Sequence, residues 1–584
     1  GELLYERYRE RFWLSIFFSC MLRMGNMRGF GGPLPDSWHT QSLELQHKIL
    51  SRMRELGILP VLPAFAGHVP RAFKRIYPDS PMTLMTKWNN FPDEYCCPYL
   101  LEPTDSLFAT VGNLFMSELL AEFGTDHIYN CDTFNEMKPH TPNVTYLAAV
   151  SRAIYSAMTD VDPDAIWLKQ NWVFVHDIFF WTTDKVEAFL TAVPTGKMII
   201  LDLQSELSPQ YKRLHSYYGQ PFIWCMLHNF GGTLGLYGAV NNVNQVQLAL
   251  FDGRGLENGT MIGTGLTPEG INQNYVMYDF MNEMAWRTEP ANLTEWFTSY
   301  AIRRYGGENE HADNAWQLLK SGVYSYTGMR RVRGKYIICH RPSTRLRSWV
   351  WYNTTELAIA WDELLNASQQ FQNVETYRHD LVDVTRQALQ LLGADLYNAF
   401  ILAYRKNNVT DFQNNAHLFL DLLGDLDMLL GSSKDFLLGK WLESAKTFGT
   451  TSAEKLLYEY NARNQITLWG PEGQIVDYAN KQWAGVVSDY FLPRWTVFLE
   501  ALNTSLVTGT TFNESQTVQK IFSEVEQPFT LSTSTFPVTP QGDSIAIAVD
   551  IHNRWRKHFI RQSQQRIRLS ASLPELRENI GEDQ

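Results

Sequence analysis

The chain has 584 residues, of which 45% are hydrophobic and 13% aromatic, with 18 Trp and a formal net charge of −12. That length and composition support two or three domains with large cores and argue against global disorder. The negative balance argues against a nonspecific nucleic-acid binder, although a local basic patch for a polyanionic substrate can coexist with it.

The first apolar run, "FWLSIFFSCML" (Phe12–Leu22), is shorter than a membrane span and lies between charged flanks, so no membrane span is expected. Six Cys (Cys20, Cys96, Cys97, Cys131, Cys225 and Cys339) fit no zinc spacing; one or two disulfides are compatible with them and no pairing is assigned. Asn-X-Ser/Thr sequons occur at Asn143, Asn258, Asn292, Asn353, Asn366, Asn408, Asn503 and Asn513. Together they point to a secreted or lysosomal glycoprotein. The chain opens "GELLYERYRE" without a leader peptide, so the expectation is that a signal peptide lies upstream.

From about Leu56 to Glu269, short apolar runs alternate with helical patterns. The runs are "GILPVLPAFAG" (Gly57–Gly67), "HIYNCDTFNE" (His127–Glu136), "AIWLKQNWVF" (Ala165–Phe174), "KMIILDLQSE" (Lys197–Glu206), "PFIWCMLHNF" (Pro221–Phe230) and "TMIGTGLTPEG" (Thr260–Gly270). Each starts apolar and ends in polar or glycine-rich residues. Amphipathic stretches such as Asn113–Gly124 and Tyr146–Met158 lie between them. This βα alternation predicts an α/β domain with a parallel sheet, and polar strand ends predict a (β/α)8 TIM barrel whose site sits at the carboxyl ends of the strands. Six strands are counted where a closed barrel has eight, so two strands are expected upstream of Gly1. A doubly wound sheet is the rival, but no GxGxxG or GxxxxGK[ST] loop supports it.

After about Thr288 the period becomes helical. Thr354–Phe371, Glu375–Arg405, Asp411–Gly431 and Ala453–Trp469 carry apolar residues at i, i+3, i+4 and i+7, which predicts an all-helical domain. The expected division is 1–287 for the catalytic barrel, 288–550 for the all-α domain, and 551–584 for a tail, partly disordered. Within that tail the basic stretch Arg554–Ser570 reads as a solvated helix or loose end, and the last ten residues as disordered.

Glu136 and Glu269 end the second and sixth runs. In a barrel both point into one mouth, and two facing carboxylates are what glycoside hydrolysis requires. One protonates the leaving oxygen, and the other attacks the anomeric carbon or activates water. A loop carboxylate is the bland alternative for each. Asn135, beside Glu136, is suited to bond a substituent on sugar C2, or is a turn residue. Trp172 offers an aromatic wall, or core packing. In "MLHNFGG", His228 and Asn229 stand at a strand end before glycines; His228 reads equally as a substrate donor or as a hydrogen-bonded structural histidine. Asp202 orients a neighbour or caps its strand, and Asp132 is expected to make only a supporting hydrogen bond. No HExxH, GxSxG or metal-ligand spacing occurs, so no metal and no cofactor are expected.

The stretches "FGTDHIYNCDTFNEM", "GQPFIWCMLHNFGG", "GTGLTPEGINQN" and "TLWGPEGQIVDYANKQWAG" resemble the α-N-acetylglucosaminidases, family eighty-nine of the glycoside hydrolases, over nearly the whole chain. The resemblance implies a lysosomal retaining exo-hydrolase that removes terminal α-linked N-acetylglucosamine from heparan sulfate. It implies Glu136 as acid/base, Glu269 as nucleophile, and Asn135, Trp172, Leu203, Leu227 and Phe230 as pocket residues. It also implies that Trp469, Ile475 and Tyr478, from the helical domain, cover the pocket; by itself that Gly/Pro loop reads as an interhelical connection. The implied partner is a glycosaminoglycan or oligosaccharide, and a homo-oligomer is compatible with the sequence. Two departures stand out. A family Cys pair is replaced here by Asp93 and the adjacent Cys96 and Cys97. The first barrel strands and a small amino-terminal domain are also absent from the chain, which alone is therefore expected to be inactive or unstable. A substrate-assisted hexosaminidase and an inactive carbohydrate-binding remnant are the alternatives. For retention the two carboxyls should lie roughly 5–5.5 Å apart.

Overall fold

The computed structural model describes residues 29–231, 235–251, 259–270, 273–328, 336–347 and 349–572, with side chains described up to residue 559. The run Phe12–Leu22, Cys20, the sequon at Asn258 and the last ten residues fall outside them.

Nine strands occur among these residues: β1 (Leu62–Pro63), β2 (His68–Val69), β3 (Met82–Leu84), β4 (Tyr99–Leu101), β5 (Ile128–Asn130), β6 (Ile166–Gln170), β7 (Met198–Asp202), β8 (Phe222–Met226) and β9 (Met261–Leu266). Six of them form a parallel sheet in the order β1-β5-β6-β7-β8-β9. These six coincide with the six runs read from sequence. Helices such as Ser106–Phe123 and Val144–Thr159 connect successive strands. The strands are apolar because helices cover them: Tyr129, Trp167, Met198, Ile200 and Phe222 are fully buried. Ser106–Phe123 starts where the Asp105 carboxylate accepts the Leu107 N–H (2.8 Å), and Gly124, with φ 71°, follows its last residue.

β2, β4 and β3 form a separate antiparallel sheet between β1 and β5 in the chain. It does not figure in the sequence reading, because its strands of two or three residues lie outside the long apolar runs that mark the parallel strands. The loop between β3 and β4 carries Trp88, Phe91 and the adjacent Cys96 and Cys97, which are joined as a disulfide.

The second half of the chain is helical. Its centre is the 31-residue helix Glu375–Arg405, buried continuously from His379 to Gly393. It packs against Val409–Gly431 and against the terminal helix Ser544–Ser572. That helix crosses the domain boundary expected at residue 550. Ala548, Ile551, Trp555 and Phe559 are buried at spacings of three and four, so the expected solvated tail begins inside the core. Its basic residues mask that stripe in the sequence; Arg556, for example, pairs with Asp362 at 2.7 Å.

Five sequon asparagines, Asn143, Asn292, Asn353, Asn408 and Asn513, cap helices, each through its side-chain oxygen. Among the described residues no helix is long and apolar enough to cross a membrane.

Candidate active site

The polar ends of β5, β6, β8 and β9 converge at one mouth of the parallel sheet. Glu136 lies six residues beyond β5, in a loop where Asn135 adopts a left-handed φ of 48°. Asparagine tolerates that region better than most residues, which gives the Asn-Glu pair a backbone rationale beside any chemical one. Each oxygen of Glu136 accepts an indole N–H: Oε1 from Trp172 at 2.8 Å and Oε2 from Trp88 at 2.5 Å. The Nδ1 of His176 lies 3.9 Å from Oε1. The carboxyl is thus fixed by two rigid rings from two different segments.

Trp172 is the first residue of the short helix Trp172–His176 rather than the end of β6, and its ring packs tilted on Phe230 at 5.8 Å. Trp88 is absent from the residues expected by sequence. It stacks on Phe91 at 5.9 Å and meets Trp469 edge-on at 5.5 Å. With 48 positions between Trp88 and Glu136, the only sequence signal is a tryptophan in a loop.

Glu269 lies three residues beyond β9 and is exposed to solvent, while the surrounding protein displaces part of its water. Its Oε2 accepts the Gly231 N–H at 2.7 Å and the phenol hydrogen of Tyr478. Loss of water around it raises the carboxyl above the usual glutamate range; the Tyr478 and Gly231 donors oppose that rise, and the charge of Glu136 adds to it. Glu136 therefore lies close enough for its charge to act on Glu269. Gly231 has φ 66°, and a Cβ there would run into the Tyr478 carbonyl oxygen, so no other residue fits between the loop after β8 and the helical domain. Lys481 donates to the Gly231 carbonyl.

Trp469, Ile475 and Tyr478 form one apolar cluster with Phe91, Trp88 and the Cys96–Cys97 pair, so the loop from the helical domain reaches the mouth of the sheet. Its anchor is Asp477. The buried guanidinium of Arg494 clamps that carboxylate with two bonds of 2.7 and 2.8 Å, and the Arg341 N–H adds a third at 2.6 Å. Arg341 in turn pairs with the buried Glu526. Trp469 and Asp477 hold positive φ of 46° and 63°, uncommon for such side chains and found where surrounding structure over-determines the backbone.

The remaining expected residues divide. Leu203 and Leu227 are buried beneath the mouth, at the ends of β7 and β8. His228 is buried too, its ring packed against Tyr237 (5.1 Å) and Tyr278 (5.3 Å), and burial pushes its pKa down to about 3. Its Nε2 has no hydrogen-bonding partner among the described residues. The ring is buried as a structural histidine's would be, but among the described residues Nε2 lacks the hydrogen bond expected of one. Asp202, buried and pushed up to about 6 by desolvation, accepts from Asn171 (2.7 Å), Gln210 and Tyr211, and so orders the loop after β7. Asp132 receives the buried Lys169 ammonium at 3.0 Å.

The profile described as Alpha-N-acetylglucosaminidase (NAGLU) tim-barrel domain matches residues 6–288, and that of the C-terminal domain matches residues 296–554. The human protein named alpha-N-acetylglucosaminidase is 45% identical over 554 residues, covering 94% of this chain and 74% of its own length. The chain belongs to the α-N-acetylglucosaminidase family. Among solved structures, it is similar to a family 89 glycoside hydrolase from Clostridium perfringens in complex with 2-acetamido-1,2-dideoxynojirimycin, with a TM-score of 0.84 and 27% identity. That match covers 95% of this chain and 64% of the bacterial chain, so this α-N-acetylglucosaminidase family member spans less than two thirds of the bacterial chain. A variant of the same bacterial enzyme with two Glu-to-Gln changes, in complex with its substrate GlcNAc-alpha-1,4-galactose, matches with a TM-score of 0.84 and 26% identity over the same shares. The TIM-barrel class and the helical domain after it agree with these relatives.

Proposed function

We propose that this chain is a retaining exo-α-N-acetylglucosaminidase in which Glu136 is the acid/base and Glu269 the nucleophile. The observation that carries the reading is the pair of carboxyls at one mouth, each immobilised by donors from a separate element: Trp88 and Trp172 on Glu136, Gly231 and Tyr478 on Glu269. A terminal α-linked N-acetylglucosamine is the glycone that the family name and the substrate of the bacterial relative both specify.

Glu269 attacks the anomeric carbon while Glu136 gives its proton to the departing glycosidic oxygen. A glycosyl ester forms on Glu269 and the C–O bond to the aglycone breaks. Glu136, now ionised, takes a proton from water; the hydroxide attacks the same carbon, frees Glu269 and regenerates protonated Glu136. Two inversions give net retention. Trp88, Trp172 and Phe230 supply apolar faces for the sugar ring, with Trp469 packed behind Trp88, and Asn135 a neighbour for its acetamido group. Heparan sulfate is the polymer and the lysosome the compartment in this reading, supported by the family resemblance and the sequons.

Trapping with a fluorinated glycosyl donor, followed by peptide mapping, tests it. A label on Glu269 is the expected result. Hydrolysis without a label would favour substrate assistance, and sugar binding without hydrolysis would favour a binding remnant.

A further inference from the structure

Beneath Glu269 lies a polar side chain that the mechanism does not use. Asn229 is fully buried at the end of β8. Its Oδ1 accepts the Gly270 N–H at 3.0 Å, and its Nδ2 donates to the Gly270 carbonyl at 3.0 Å. Nδ2 also reaches the Tyr278 hydroxyl at 3.0 Å, and that hydroxyl donates to the same Gly270 carbonyl at 3.2 Å. A side-chain amide thus pairs with both backbone groups of the residue next to Glu269. Its own loop is held from below: the buried carboxylate of Glu206 accepts the N–H of Leu227 (3.2 Å) and of His228 (2.7 Å). Two residues further on, the Gly231 N–H reaches Glu269 itself.

We propose that Asn229 is a positioning residue for Glu269. The Glu269 loop follows the last strand of the sheet, with residues 271 and 272 outside the described structure, and the two-point clamp on Gly270 fixes its backbone to the strand beside it. A merely structural asparagine would stabilise the loop without setting the attack distance. A nucleophile displaced by about 1 Å loses on the order of 100-fold in rate.

The inference rests on Glu269 being the nucleophile, so Glu269→Gln is assayed alongside. With 4-nitrophenyl α-N-acetylglucosaminide as substrate, folded Asn229→Ala is expected to lose about 100-fold in kcat with KM within about threefold and little change in unfolding temperature. Asn229→Ser brings no charge into the buried site and keeps a hydroxyl for hydrogen bonding, so it should fold even if the alanine variant does not, and should lose about tenfold. Tyr278→Phe removes one bond on the Gly270 carbonyl but keeps both Asn229 bonds to Gly270, and should stay within about threefold. Normal kcat in a folded Asn229 variant, a loss confined to KM, or an equal loss in Tyr278→Phe would overturn the proposal. Wild-type turnover in Glu269→Gln would instead overturn the nucleophile assignment beneath it.

Discussion

Tyr478, in the helical half of the chain, donates its phenol hydrogen to Oε2 of Glu269, a residue 209 positions earlier at the mouth of the parallel sheet. A hydrogen bond to the charged form favours that form, and this one opposes the rise that burial imposes on Glu269. In the proposed mechanism attack requires the ionised carboxylate, so activity should rise with pH as Glu269 loses its proton. Removing the donor in Tyr478→Phe raises the Glu269 pKa further. The ascending limb of the kcat/KM profile should therefore move to higher pH, with the greatest loss at acidic pH and partial recovery near neutrality. Because Glu136 and Glu269 interact, the limb reports the pair. An unshifted limb would contradict the role given to this bond.

The two indoles on Glu136 can be separated from their rings. Trp88→Phe and Trp172→Phe keep an aromatic face and delete one N–H each. Either should lower kcat by about tenfold, the scale of one charge-assisted hydrogen bond. Steady-state kinetics on an aryl glycoside and on a disaccharide would measure it. Equal loss of kcat and gain of KM for Trp88→Phe would indicate sugar stacking rather than support of Glu136.

Arg494 offers a test far from the chemistry. Removing it in Arg494→Met leaves Asp477 buried with its two strongest donors gone, a change that costs about 3–5 kcal/mol in buried pairs. Thermal unfolding should shift down markedly, and activity should fall because Asp477 precedes Tyr478. A variant with normal melting temperature and normal turnover would show that the loop is held by other means.

The sequon asparagines that cap helices separate two functions in one residue. Asn143 accepts the N–H of Thr145 at 2.8 Å through its oxygen, leaving the amide nitrogen to carry a sugar. In a glycosylating host, Asn143→Asp should remove a glycan yet keep the cap. Asn143→Ala should remove both and cost about 1 kcal/mol more. Mass shifts and unfolding temperatures of the two variants decide this.

The parallel sheet is legible because each of its strands lies in a run of ten or eleven residues that starts apolar and ends in polar or glycine-rich residues. Glu136 and Glu269 were legible for the same reason, standing just past two such ends. Trp88 was not, since it sits in a loop between strands of three residues and acquires meaning only through a contact 48 positions away. Tyr478 was recognised by resemblance alone; without it, a Gly/Pro loop between helices looks like any other. Trp172 is legible as a strand-end aromatic, whereas in the structure it is the first residue of a helix. The apolar stripe Ala548, Ile551, Trp555 and Phe559 was present in the sequence and obscured by the basic residues among which it runs.

The loop from Trp469 to Tyr478 makes the proposed catalytic mouth a joint product of both halves of the chain. A small competitive inhibitor seated between Glu136 and Glu269 would bind only when both halves are folded together. At 100 times its dissociation constant such a ligand adds about 2.7 kcal/mol to the folded state. Folding defects seeded deep in the helical half, such as the loss of Arg494, are thereby open to rescue by a compound that never touches the damaged position.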